Sequence, residues 1–93
     1  MDAVFCTGAT VSTAYGPVQV QITVSGGKIS AANAIQSPTG NGQSDRINSR
    51  AVPVLNQAAV TSQSAKISMV SGATYTSAGY LKSLQSALDQ AKL

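Results

Sequence analysis

The sequence contains no histidine, no tryptophan and no glutamate, and its only cysteine is Cys6. A Ser-His-Asp triad therefore cannot form, and neither can an intrachain disulfide or a metal centre built from cysteine and histidine. The side-chain carboxylates are three dispersed aspartates, Asp2, Asp45 and Asp89, which argues against hydrolysis by paired carboxylates. Any chemistry performed by this chain would have to come from a bound cofactor.

Charged residues and long apolar runs are also scarce. Charged residues make up 10% of the chain, and six basic against three acidic side chains give a net charge of +3. Nucleic-acid binding would need a clustered basic face, whereas a slight positive charge suits a small anionic ligand. No apolar run is long enough to predict a membrane span or a signal peptide. The 93 residues predict a single domain over residues 1–93 with a modest core.

The first half of the chain is predicted to form three antiparallel strands. The first covers Val4 to Thr13, with Val4, Cys6 and Gly8 on one face and Phe5, Thr7, Ala9 and Val11 on the other. A turn at 15–17 precedes the second strand, over 18–24, which shows the clearest alternation of apolar and polar residues.

A hairpin turn at Gly26-Gly27 connects the second strand to the third. On the third strand, the residues predicted to share one face are Ile29, Ala31, Asn33 and Ile35.

Two helices and a short fourth strand are predicted beyond the loop at 37–43. Apolar spacing over 44–62 indicates a helix that contains Pro53 and kinks between Ser49 and Pro53. Ile67 and Met69 indicate the fourth strand, and an apolar stripe over 77–92 indicates the second helix. This order predicts an α+β fold: a small antiparallel sheet, made of a three-strand meander plus a short fourth strand, with two helices packed on one face.

The junction at 70–80 places hydroxyl and small residues between the fourth strand and the second helix. Unpaired backbone N–H groups and the positive end of the helix dipole meet there, which makes the junction a natural seat for an anion. Gly72 allows close approach of the backbone to a ligand, and Thr74 offers a hydroxyl. An N-cap rich in serine and threonine is the alternative interpretation.

Three blocks of the sequence resemble the FMN-binding domain family. In chain order they read YGPVQVQ (15–21), INSRAVP (47–53) and VSGATYTSAGY (70–80). The segment Ser71-Gly72-Ala73-Thr74 is similar to the family's attachment motif, in which a flavin transferase esterifies the FMN phosphate to the last threonine. The resemblance implies FMN as the cofactor, Thr74 as the attachment residue and electron transfer as the function. The flavin-carrying C subunit of the sodium-pumping NADH:quinone oxidoreductase is a member of this family.

The resemblance also implies which residues surround the flavin. The expected phosphate partners are the backbone N–H groups of Gly72 and Ala73 and the hydroxyls of Ser71 and Thr76. Tyr15, Gly16 and Pro17 are expected near the isoalloxazine ring, with a turn residue that covers the core as the alternative role for Tyr15.

Four further side chains are assigned with alternatives. The predicted helix kink would turn Asn48 or Arg50 towards the ligand, and a solvated helix face is the alternative for Arg50. Tyr75 points either to the flavin or to solvent. Tyr80 is expected in the core.

Two positions depart from the family pattern. Ser68 stands where an acidic residue usually begins the target motif, and Ala78 stands where relatives often have glutamate. These departures motivate a second interpretation, a flavin-free structural or interaction domain. A third interpretation is the flavin domain of a small-substrate reductase, for which no substrate-recognition region is visible.

The expected partners follow from the electron-transfer interpretation. They are a flavin transferase and redox proteins or quinone-linked electron donors, with no nucleic acid. Resemblance to exported family members predicts an extracytoplasmic location, with membrane association only through regions outside this chain.

Overall fold

The computed structural model of the chain describes residues 3–13, 16–37, 42–70 and 73–92, except for the side chains at 42–45 and 47. In these residues four strands precede two helices. The strands are β1 (Val4–Thr7), β2 (Val11–Thr13), β3 (Gly16–Ser25) and β4 (Lys28–Gln36), and the helices are α1 (Gly42–Ser62) and α2 (Thr74–Ala91). The predicted α+β fold, an antiparallel sheet with two helices packed against it, is confirmed.

β3 is the strand that organises the sheet. β1, β2 and β4 all pair with it in antiparallel fashion. Val18, Val20 and Ile22 of β3 are fully buried. Alternate residues of a strand share one face, so these side chains form the centre of the core beneath α2. The second predicted strand is therefore confirmed.

The prediction of one continuous first strand is wrong. The chain leaves the ladder after Thr7 and rejoins it at Val11. Thr7 lies opposite Gln21 but Val11 lies opposite Val18, so the register shifts by one residue across the break. Such a shift exchanges the two faces. Val11 therefore shares the core side with Cys6, whereas the sequence pattern placed it with Phe5.

The hairpin between β3 and β4 is confirmed, but the face predicted for β4 is wrong. Gly26 and Gly27 have φ of 62° and 80°, the positive values that a tight two-residue hairpin turn requires. Beyond the turn, Val24 pairs with Ile29 while Thr23 pairs with Ala31, so one extra residue enters β4. This β-bulge turns Ala32 instead of Ala31 towards the core and leaves Asn33 and Ile35 exposed.

α1 is a single helix that passes through Pro53. It buries Ala51, Leu55 and Ala59 and packs mainly on β4. The expected kink stays a prediction. The fourth strand expected at Ile67 to Met69 is wrong, because residues 66–70 form no ladder and instead lie as an irregular segment before α2. The fourth strand of the sheet is β2.

α2 packs on β3 and begins three residues before the predicted start. Its buried apolar residues are Tyr80, Leu84, Ala87 and Leu88, as the predicted stripe requires. Gly79 permits a close approach to the sheet, since a Cβ there would lie 2.8 Å from Cγ2 of Thr13. Among the described residues, neither helix has the combination of length and apolarity that crossing a bilayer demands.

Candidate functional site at the start of helix α2

The first turn of α2 carries no side-chain cap. Its N-cap residue is Ala73, with φ of −129° and ψ of 43°, and no side chain of the described chain caps it. The turn also contains no acidic residue. The alternative of a serine or threonine N-cap is therefore wrong. In the described part of the chain, neither a capping side chain nor an acidic residue of the first turn offsets the positive end of the helix dipole, and this favours an anionic ligand.

Thr74 is the first helical residue, and its side chain is exposed. The segment before it is held from two directions. The backbone N–H of Ala73 donates to the carbonyl of Val70 at 3.0 Å, and the N–H of Val70 donates to Oγ of Ser77 at 3.0 Å. Ser77 is fully buried. Val70 thus lies against the first turn of α2 and is bonded to both Ala73 and Ser77.

A buried hydrogen bond connects this turn to α1. The Thr76 hydroxyl donates to Oδ1 of Asn48 at 2.9 Å, and both residues are at least nine-tenths buried. The structure therefore places Asn48 at the start of α2, whereas the sequence prediction turned Asn48 or Arg50 towards the ligand through a helix kink. It also commits the Thr76 hydroxyl, which was expected beside the phosphate, to a contact within the protein. The Ala73 N–H, expected in the same role, is likewise bonded to the Val70 carbonyl.

A second hydrogen bond joins the same two helices one turn further along α2. The phenol of Tyr80 donates to Oδ1 of Asn56 at 2.6 Å, and the Tyr80 side chain is fully buried. Burial raises the pKa of this phenol above its usual value because the phenolate would lose its hydration. The core position predicted for Tyr80 is confirmed. Tyr75 is exposed, at 56% of its surface.

The remaining predicted site residues lie on β3, on α1 or outside the described residues. Gly16 and Pro17 open β3, and the Thr13 hydroxyl donates to the carbonyl of Gly16 at 2.6 Å. Thr13 lies against Gly79 of α2. The β2–β3 hairpin therefore packs on α2 five residues beyond Thr74. Arg50 is exposed on α1. Tyr15, Ser71 and Gly72 lie outside the described residues.

Sequence reasoning missed the roles of Ser77 and Ser83. Both are fully buried and both accept a backbone N–H, from Val70 and from Val20 respectively. The signal was present, since both serines fall on the same helical face as Tyr80 and Leu84. A hydroxyl within an apolar stripe must find a hydrogen-bond partner when it is buried.

The described residues fit a cofactor that ends in a phosphate. Among these residues the Thr74 hydroxyl is exposed, no side chain caps the start of α2, and the first turn holds no carboxylate. These groups favour a dianion and include nothing that would repel it.

The fold and this turn define a small α+β domain suited to an anionic cofactor. The sequence model of the FMN-binding domain family matches residues 14–89, a range that includes the β3–β4 hairpin, α1 and most of α2. The chain belongs to the FMN-binding domain family, and FMN is its cofactor. A search of curated proteins found no match.

Proposed function

We propose that this domain is an electron-transfer module that carries FMN, with the flavin phosphate at the start of α2 and Thr74 as its attachment residue. One observation carries the proposal: an exposed threonine hydroxyl occupies the first position of a helix that no described side chain caps and whose first turn holds no acidic residue. Ser71 and Gly72 complete the phosphate site in this proposal, and Ala73, whose N–H donates to the Val70 carbonyl, adjoins it. Family membership supports the flavin assignment.

The flavin ring is assigned to the side of the β2–β3 hairpin. The contact between Thr13 and Gly79 seats this hairpin on α2 near the proposed phosphate site. Gly16, Pro17 and Tyr15 belong to that hairpin region and supply the flat surface in this assignment. Arg50 is proposed to contribute positive charge from α1, where its side chain is exposed.

Covalent attachment is proposed to require a flavin transferase. In that step a bond forms between Oγ of Thr74 and the phosphorus of a flavin nucleotide, the bond from phosphorus to the nucleotide's leaving group breaks, and the transferase accepts the hydroxyl proton. The exposure of Thr74 gives an enzyme access to the hydroxyl. Ser68, at the position that is usually acidic, is also exposed and lies in a segment without ladder partners.

The protein's own side chains favour electron relay over substrate conversion. The chain has no histidine and no glutamate to act as a general acid or base. The buried Tyr80 phenol keeps its proton, because its pKa is raised and its hydroxyl donates to Asn56. When bound, FMN supplies reversible redox chemistry. The proposed partners are redox proteins or quinone-linked donors outside the cytoplasm.

A reductive titration of the FMN-loaded protein tests this function. The visible absorbance of the flavin should bleach on addition of reductant and return when an artificial electron acceptor is added, without consumption of a small metabolite. Turnover with a soluble substrate would favour a reductase instead. Purified protein that takes up no FMN would contradict the flavin function altogether.

A further inference from the structure

The hydrogen bond between Thr76 and Asn48 lies two residues beyond the attachment residue Thr74. This bond connects α1 to the first turn of α2, and both side chains are buried. On the α1 side of this contact, Ala51 and Leu55, within two turns of Asn48, are buried in the core. The bond therefore connects a helix anchored in the core to the start of α2, and helix ends are where fraying begins.

We infer that Asn48 and Thr76 form a positioning pair for the FMN phosphate site. Their hydrogen bond sets the orientation of the first turn of α2, and hence of the Thr74 hydroxyl and the N–H groups of that turn. This inference rests on the proposed function, because it assigns the pair a role at the same site. Neither residue touches the flavin in this account.

The pair has a natural internal control in the bond between Tyr80 and Asn56. That bond also joins α1 to α2 through a side-chain hydroxyl and an asparagine Oδ1. It lies four residues further along α2, beyond the first turn. A purely structural role predicts the same consequences when either bond is removed, whereas a positioning role predicts consequences at the phosphate site for Thr76 alone.

Three variants separate these roles. Thr76→Val keeps the branched shape but removes the donor, Thr76→Ser restores the donor, and Tyr80→Phe removes the control bond. The first measurement is hydrogen exchange of the backbone amides of Ala73 and Ser77 in flavin-free protein, because these N–H groups are protected by hydrogen bonds to the carbonyls of Val70 and Ala73. Exchange should accelerate in Thr76→Val by about tenfold, the scale of one lost buried hydrogen bond, and remain near the wild-type rate in the other two variants.

The second measurement is the dissociation constant for FMN, from quenching of flavin fluorescence. Thr76→Val should weaken binding about tenfold, while Thr76→Ser and Tyr80→Phe stay within about threefold of wild type. Urea unfolding of each variant reports its stability, so that affinities are compared between variants that are folded at the assay temperature.

Two results would overturn the inference. One is equal loss of FMN affinity in Thr76→Val and Tyr80→Phe, which would make both bonds merely structural. The other is unchanged exchange of the Ala73 and Ser77 amides in folded Thr76→Val. If wild-type protein itself fails to bind FMN, the proposed function fails, and the exchange rates still decide whether the pair orders the turn.

Discussion

Ser83 satisfies a backbone group that the sheet leaves open. The pairing with β3 is interrupted between β1 and β2, so the N–H of Val20 has no ladder partner on the side of these two strands. It donates instead to Oγ of Ser83 at 2.7 Å. Gly8 lies in the same break, and its N–H donates to the carbonyl of Val20 at 2.8 Å. A Cβ on Gly8 would overlap the Ser83 carbonyl oxygen. Gly8 and Ser83 together therefore allow α2 to pack against the gap between β1 and β2.

Ser83→Ala is predicted to destabilise the protein by about 1–3 kcal/mol, because the N–H of buried Val20 would lose its acceptor. The measurement is urea unfolding. The matched control is Ser86→Ala on the same helix, since Oγ of Ser86 accepts from the N–H of exposed Ala9 at 3.1 Å and water can replace it. Equal losses of stability in the two variants would show that the buried hydrogen bond contributes no more than the exposed one.

At the scale of elements, Gln63 joins the end of α1 to the bulged start of β4. It adopts φ of 55° just beyond the helix. Its Oε1 accepts from the N–H of Ile29 at 2.7 Å, and its Nε2 donates to the carbonyls of Ile29 at 2.8 Å and Val60 at 2.7 Å. The Gln63 side chain thus bonds both the N–H and the carbonyl of Ile29, as the backbone of a neighbouring strand would.

Gln63→Glu is predicted to lower the free energy of unfolding by about 1–3 kcal/mol, because a carboxylate would face the Ile29 and Val60 carbonyls in place of a donor. Thermal or urea unfolding provides the measurement. Gln57→Glu serves as the control, since the Gln57 amide donates to Thr61 in an exposed position on α1. A Gln63→Glu variant as stable as wild type would rule out a stabilising role for this connection.

The elements also show where sequence patterns succeed and where they fail. β3 and α2 have regular alternation or a regular stripe, so the sequence predicted their type and their buried faces. The break after Thr7 and the bulge at Ser30 each shift the register by one residue, and no local signal reports such a shift. Residues 66–70 have strand-like composition but find no ladder, since pairing depends on what lies alongside in the fold.

For the candidate site, resemblance supplied more than periodicity did. The three blocks at 15–21, 47–53 and 70–80 predicted the family. The hydrogen bond that joins Asn48 to Thr76 depends on how α1 crosses α2, and that crossing is a tertiary property that no spacing in either helix encodes.

At the scale of the whole molecule, Tyr80 is predicted to make the free energy of unfolding fall at alkaline pH. The unfolded phenol has a pKa of about 10, and burial raises the pKa in the folded state. Below about pH 10 both states keep the proton, so the contribution of Tyr80 is fully present. As pH rises further the unfolded state releases its proton first, and stability falls.

The predicted slope is at most about 1.4 kcal/mol per pH unit for this one proton. Urea unfolding of wild type and Tyr80→Phe between about pH 8 and pH 11 isolates it, because titrations shared by the two proteins cancel in the difference. The stability advantage of wild type over the variant should shrink above about pH 10. A constant difference across this range would mean that the phenol ionises equally in both states.

The central claim is that Thr74 carries the flavin phosphate, and intact mass tests it most directly. The protein is expressed together with a flavin transferase, beside Thr74→Ala and a control, Thr10→Ala, which removes an exposed threonine outside α2. The account predicts a mass increase of one FMN less one water, with visible absorbance, in wild type and Thr10→Ala but not in Thr74→Ala. The same increase in Thr74→Ala, or colourless and unmodified wild-type protein, would contradict it.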